Sequence, residues 1–155
     1  MRQYLYRAQL MAVVLALSGC ASLTGTQERF VACTYATVWE AALDTMKSYP
    51  ISDTDELTGK IETSWVEGDA AGRPYGLFGR QGLQEKERFR STLIVEKKKD
   101  DVVVLRLTER REHWGFRGGA RLYQWYPVPA SAETIDAVLI PLTAKLEQHG
   151  CLVTT

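Results

Sequence analysis

The chain has 155 residues, 45% of them hydrophobic and 25% charged, and its 19 Lys and Arg balance 19 Asp and Glu. Those figures describe one globular domain and exclude a disordered chain, a collagen-like chain and a multi-domain enzyme. A net charge of zero also argues against a bulk electrostatic binder of nucleic acid.

The N-terminus reads as an address. Arg2 and Arg7 flank an uncharged stretch, residues 8–17, in which Gln9 is the only polar side chain. A helix of about ten residues spans roughly 15 Å, half of the roughly 30 Å core of a bilayer. The segment is therefore expected to be a signal peptide and not a membrane span. It ends in Leu17-Ser18-Gly19-Cys20, which resembles the bacterial lipobox. The resemblance implies cleavage before Cys20, a diacylglycerol on its sulfur and an acylated amino group. Several acyl chains hold a protein stably where one binds only marginally. Residues 1–19 are thus expected to be a cleaved leader, 20–32 the lipidated cysteine and a polar tether, and 33–152 a single periplasmic domain that reaches the membrane through its N-terminal lipid. By resemblance to enterobacterial sorting, the lack of Asp after Cys20 implies the outer membrane. Cleavage removes Arg2 and Arg7, so the mature chain carries two fewer basic than acidic side chains.

Lipidation consumes Cys20 and leaves Cys33 and Cys151, an even pair in an oxidising compartment. They bracket nearly the whole domain. Either they form a disulfide or they are two buried free thiols. No CxxC is present, and His113 and His149 have no ligand-like spacing, so no metal and no cofactor is expected.

A helix is expected after Thr34, a plausible N-cap. Tyr35, Trp39, Ala42, Leu43, Met46 and Tyr49 share one face, and Pro50 ends it. Residues 53–58 read as turn. Residues 60–66 alternate, with Ile61, Thr63 and Trp65 on one side. Residues 67–83 form a long Gly-rich connection. Strands follow at 84–97 and 101–113 around a tight turn at 98–100. A three-residue turn there pairs Val95 with Val103 and Leu93 with Leu105, and places Thr92 against Arg106, Arg90 against Thr108 and Arg88 against Arg110 on the other face. After a Gly-rich connection at 115–119, a fourth strand spans 120–128. Ser131 caps a second helix whose apolar face is Ile135, Val138, Leu139, Leu142 and Leu146, with Pro141 inside and Gly150 at its end. The expected fold is α+β, a four-stranded antiparallel meander with both helices on one face, in the order α-β-β-β-β-α.

The lipobox, the Val38-Trp39-Glu40-Ala41-Ala42-Leu43 helix, the stretch from Thr58 through Gly59-Lys60-Ile61-Glu62-Thr63-Ser64 to Trp65, a basic hairpin and a closing amphipathic helix together resemble the BamC-like (NlpB-like) outer-membrane lipoproteins. That resemblance implies a helix-grip-like domain and a role beside the machinery that folds outer-membrane β-barrels. The family's well-known members have two such domains and a long unstructured N-terminal segment. This chain has one domain and a short tether.

No GxSxG, P-loop, HExxH or nucleotide fingerprint occurs, so no catalytic residue is assigned. Glu62 with Glu67 reads as a solvated face, and His113 as a surface residue at a strand end. The charges are segregated. Between Glu40 and Asp69 there are eight acidic and two basic side chains, and between Arg73 and Arg121 thirteen basic and seven acidic. The blocks either neutralise each other across the sheet, as Glu62 against Arg88 or Arg90, or leave a local basic surface. The first and third connections lie at one end of a meander. They carry Arg73, Tyr75, Phe78 and Arg80, and Trp114, Phe116 and Arg117. Such residues either form a recognition surface or fold back to cap the core. The leading expectation is a non-enzymatic lipoprotein that binds an envelope protein through these loops. The alternative is a module for an anionic envelope ligand (lipopolysaccharide, phospholipid or peptidoglycan) held by Arg88, Arg90, Arg106 and Arg110.

Overall fold

The structure is a computed structural model that describes residues 25–70, 86–99, 101–115 and 123–155. The leader and Cys20 lie outside the described residues. Those residues form eight strands and two helices: β1 (Gly25–Ala32), α1 (Tyr35–Met46), β2 (Ile51–Asp55), β3 (Lys60–Thr63), β4 (Val66–Asp69), β5 (Lys86–Lys97), β6 (Val102–Gly115), β7 (Gln124–Val128), α2 (Ala132–Gln148) and β8 (Leu152–Thr154). The fold is α+β, with one antiparallel sheet in the order β2-β3-β5-β6-β1-β8. Strand β4 continues the line of β3 along β5, and β7 lies beyond the start of β1 along β6.

The expected four-strand meander is therefore too small. Its members survive as β3 with β4, β5, β6 and β7, and three strands are added. The polar tether expected up to residue 32 is strand β1 from Gly25 onward, and the turn expected at 53–58 begins as β2. Both were hidden for one physical reason. Thr26, Gln27 and Glu28, and Ser52, Asp53 and Thr54, are exposed runs without alternation. Their place is held by main-chain pairing and not by an apolar face.

The β5–β6 hairpin pairs Val95 with Leu105 and Leu93 with Leu107, two positions from the expected register. The turn sits one residue later, with Lys98 N–H donating to the Val102 carbonyl at 2.8 Å and Asp101 at a φ of 55°. Asp tolerates that left-handed conformation better than most residues. Parity is unchanged by a shift of two, so the odd-numbered side chains of both strands still face the core. The opposite face is re-paired: Thr92 meets Thr108, Arg90 meets Arg110, and Arg88 meets Glu112.

Both helices cover the odd face. Thr34 caps α1 by accepting a hydrogen bond from the Thr37 N–H at 3.3 Å. Trp39, Ala42 and Met46 are buried against Ile61, Leu93 and Val95 in the same core as Ile135, Val138, Leu142 and Leu146 of α2. At the end of α2, Gly150 takes a φ of 76°. Its N–H donates to the Glu147 carbonyl at 2.9 Å, and the Cys151 N–H to the Leu146 carbonyl at 3.0 Å. That pair of bonds is a Schellman motif, which the left-handed glycine permits. It aims Cys151 at Cys33, whose sulfur is at disulfide distance, with the Cα atoms 5.3 Å apart across 118 residues of sequence. The start of α1 is thereby joined to the end of α2.

Candidate functional site

Residues near the beginning of β5 and the end of β6 alternate between two charged environments. On the helix-covered side, Arg111 is held between two carboxylates. Its Nη1 lies 2.6 Å from Glu87, its Nε 2.8 Å from Glu109, and its Nη2 donates to the Thr134 hydroxyl at 2.6 Å. The Glu109 side chain is fully buried, and its other oxygen accepts the backbone N–H of Ser131 at 3.1 Å. Ser131 occupies the N-cap of α2 as expected, but its side chain makes no capping bond. Burial pulls the Arg111 guanidinium down, but the hydrogen bond to Glu87 and the charge of Glu109 outweigh it and hold it above its ordinary value. His113 is also buried on this side, in register with Glu87 and Tyr126. The expectation of a surface histidine is corrected, because residue 113 has core parity.

On the open side, the intervening rows carry an alternating arginine and tryptophan ladder. The Arg88 guanidinium sits 4.5 Å from the Trp65 ring centroid and 4.2 Å from that of Trp125. Its Nε and Nη2 both reach one oxygen of Glu112, at 2.8 and 2.6 Å. Arg90 lies 5.1 Å from Trp65 and bonds Glu62 at 3.1 Å. Trp125 contacts Trp114 at 5.3 Å between centroids, and Trp114 stacks on Tyr123 at 6.3 Å. Tyr123 is exposed, and the three indoles are half-buried. A cation over an aromatic face contributes about 0.5–2 kcal/mol as it is desolvated, so two rings on one guanidinium fix its plane.

Trp65 reaches this face because of a bulge. Along β5, β3 pairs Glu62 with Thr92, whereas β4 pairs Val66 with Phe89. Ser64 and Trp65 together oppose Arg90. The extra residue turns Trp65 away from the core side of Ile61 and Thr63, where strict alternation had placed it.

The expected site residues are distributed as follows. Arg73, Tyr75, Phe78, Arg80, Phe116 and Arg117 lie outside the described residues. Among the described residues that flank them, Asp69, Lys86, Trp114 and Trp125 share a row at one end of the sheet. Trp114 is on the open face of that row. Of the basic set, Arg88 and Arg90 are paired as above, and Arg106 bonds Glu28 at 2.6 Å, which raises its pKa. Arg110 is exposed and has no ion pair among the described residues. Neutralisation of the acidic block by the basic one is thus realised by Glu62, which receives Arg90 and also Lys60 at 3.2 Å. Trp65, Glu112 and Trp125 were not among the expected site residues. For Trp125 a signal was present: it alternates with Tyr126 and Val128, both buried.

Among the described residues, no group of three or more His, Cys, Asp or Glu is placed to hold a metal ion, and no helix is long and apolar enough to cross a membrane. A domain family of unknown function, DUF3576, matches residues 33–74, which spans α1 to just beyond β4. A crystal structure of an uncharacterised protein from Bacillus thuringiensis is similar over 82% of this chain and 97% of that chain, at 13% identity and a TM-score of 0.30. No curated protein matches the chain.

Proposed function

We propose that this chain is a non-enzymatic, lipid-anchored envelope protein of the outer membrane. In this reading it serves as an accessory in envelope or outer-membrane-protein assembly and binds a protein partner through the Arg/Trp end of its open sheet face. The lipobox-like leader ending at Cys20 supports the anchor. The observation that carries the binding reading is the Trp65–Arg88–Trp125 sandwich, extended by Trp114 and Tyr123. Tryptophan, tyrosine and arginine held in fixed planes are the residues that dominate protein interfaces, because they bring area without much loss of side-chain freedom. Three of the four arginines suited to an anionic ligand already hold carboxylates. That favours a protein partner over an anionic envelope ligand.

The test is site-specific photo-crosslinking in intact cells. A photoreactive residue at Tyr123 should give a discrete adduct, while the same residue at Ile140, exposed on α2, should give none. The adduct should disappear in Arg88→Met. Equal labelling at both positions, or an adduct indifferent to Arg88, would defeat the proposal.

A further inference from the structure

The open face has a second, different end. Where β6 begins, one row consists of Leu152, Ala32, Val102 and Lys98, and the next of Thr154, Phe30, Val104 and Glu96. Leu152 is 73% exposed and Phe30 44% exposed, with Ala32 exposed beside them. Val104 is buried beneath this layer although it lies on the face without helices. The adjoining turn carries Lys97, Lys98 and Lys99. All three are exposed, and neither Lys97 nor Lys99 has an ion pair among the described residues.

Two observations select the occupant. The sheet starts at Gly25, only five residues after Cys20, and five residues reach at most about 17 Å. Phe30 lies five strand positions further on, again about 17 Å. A tether of that length allows anchor and patch to reach one membrane plane. The chemistry of the patch also suits that plane: apolar side chains beside a lysine-bearing turn can rest at the headgroup boundary while the ammonium groups stay in water or meet anionic lipid.

We propose that the Phe30/Leu152 patch lies on the phospholipid surface, so that patch and N-terminal lipid together fix the domain's orientation and leave the tryptophan end free for a partner. This rests on the lipoprotein reading above.

The test uses the lipidated full-length chain carrying Leu152→Trp, with Phe30→Trp as a second probe, in phosphatidylethanolamine–phosphatidylglycerol vesicles. Position 152 is exposed, so the new indole does not disturb the core. The native Trp39 is buried, and Trp65, Trp114 and Trp125 are at the other end of the sheet. The added emission should be blue-shifted and lost when the lipids are brominated close to the headgroup, while the native emission persists. If Cys20 is acylated and the protein sediments with the vesicles, yet the added emission is not quenched, the patch proposal is overturned and the lipoprotein reading stands. A blue shift that grows with protein density, without quenching, assigns the patch to a second copy and equally overturns it. An unacylated Cys20 overturns the lipoprotein reading and this inference with it.

Discussion

Arg111 and Arg88 lie on neighbouring strands in adjacent rows, and each holds a glutamate beside an aromatic ring. Arg111 faces the helices, with its side chain 10% exposed and both of its carboxylates more buried still, whereas the Arg88 side chain is 22% exposed between two indoles. The difference is one of strand parity. The same residue types become an internal tie on the odd face and a presented surface on the even one. A composition-level reading of basic or acidic blocks averages the two and sees neither.

The largest effect that can break this comparison is expected on the covered side. Arg111→Met leaves Glu109 and Glu87 buried without their cation, and removing one partner of a buried pair costs about 3–5 kcal/mol. Urea denaturation should show that loss. A protein that keeps its midpoint would mean that the cluster is solvated. Reducing the Cys33–Cys151 bridge should cost about 2–5 kcal/mol, since the unfolded chain gains back the freedom of a very long loop. A thermal scan with and without reductant reads it directly. Gly25→Ala should cost about 1–3 kcal/mol by overpacking, because a Cβ there would stand 2.6 Å from the Ala130 Cβ and 2.7 Å from the Ile135 Cδ1. Such a loss, measured by denaturation, would confirm that β1 is part of the domain.

The smallest effect belongs to neither face. The Asp55 carboxyl is held below its ordinary value by hydrogen bonds from the Thr58 hydroxyl and from the backbone N–H groups of Thr58 and Leu57. Its folded form therefore takes up a proton less readily than its unfolded form. The associated stability is fully present above the unfolded value of about 3.9 and is lost as pH falls through the folded value. An NMR titration of Asp55 should give an inflection below that of Asp55 in a turn-disrupting Thr58→Ala variant.

The sequence made some of this visible and hid the rest for definite reasons. The α1 cap at Thr34, the Gly150 terminus and the core faces of both helices follow from local chemistry, and a disulfide was one of the two readings open for Cys33 and Cys151. Parity along β5 and β6 was also legible, because Leu93, Val95, Leu105 and Leu107 announce it, and it survived a register error of two. What escaped was set by tertiary context. Strand β2 and the first residues of β1 are exposed polar runs, and β8 has only three residues, so none of them shows an apolar alternation to read. The ladder depends on a bulge at Ser64 and Trp65 that no pattern in residues 60–66 marks. Arg111 was hidden because a charged residue in a hydrophobic phase reads as exposed until its partners are seen.

The central claim is that parity divides structural from binding roles at one end of one sheet. The most direct test measures Arg111→Met and Arg88→Met together, by denaturation and by crosslinking from Tyr123. Arg111→Met should lose about 3–5 kcal/mol, whereas Arg88→Met should lose only about 1–2 kcal/mol and abolish the adduct while remaining folded. Equal destabilisation by the two, with the adduct retained in Arg88→Met, would contradict it.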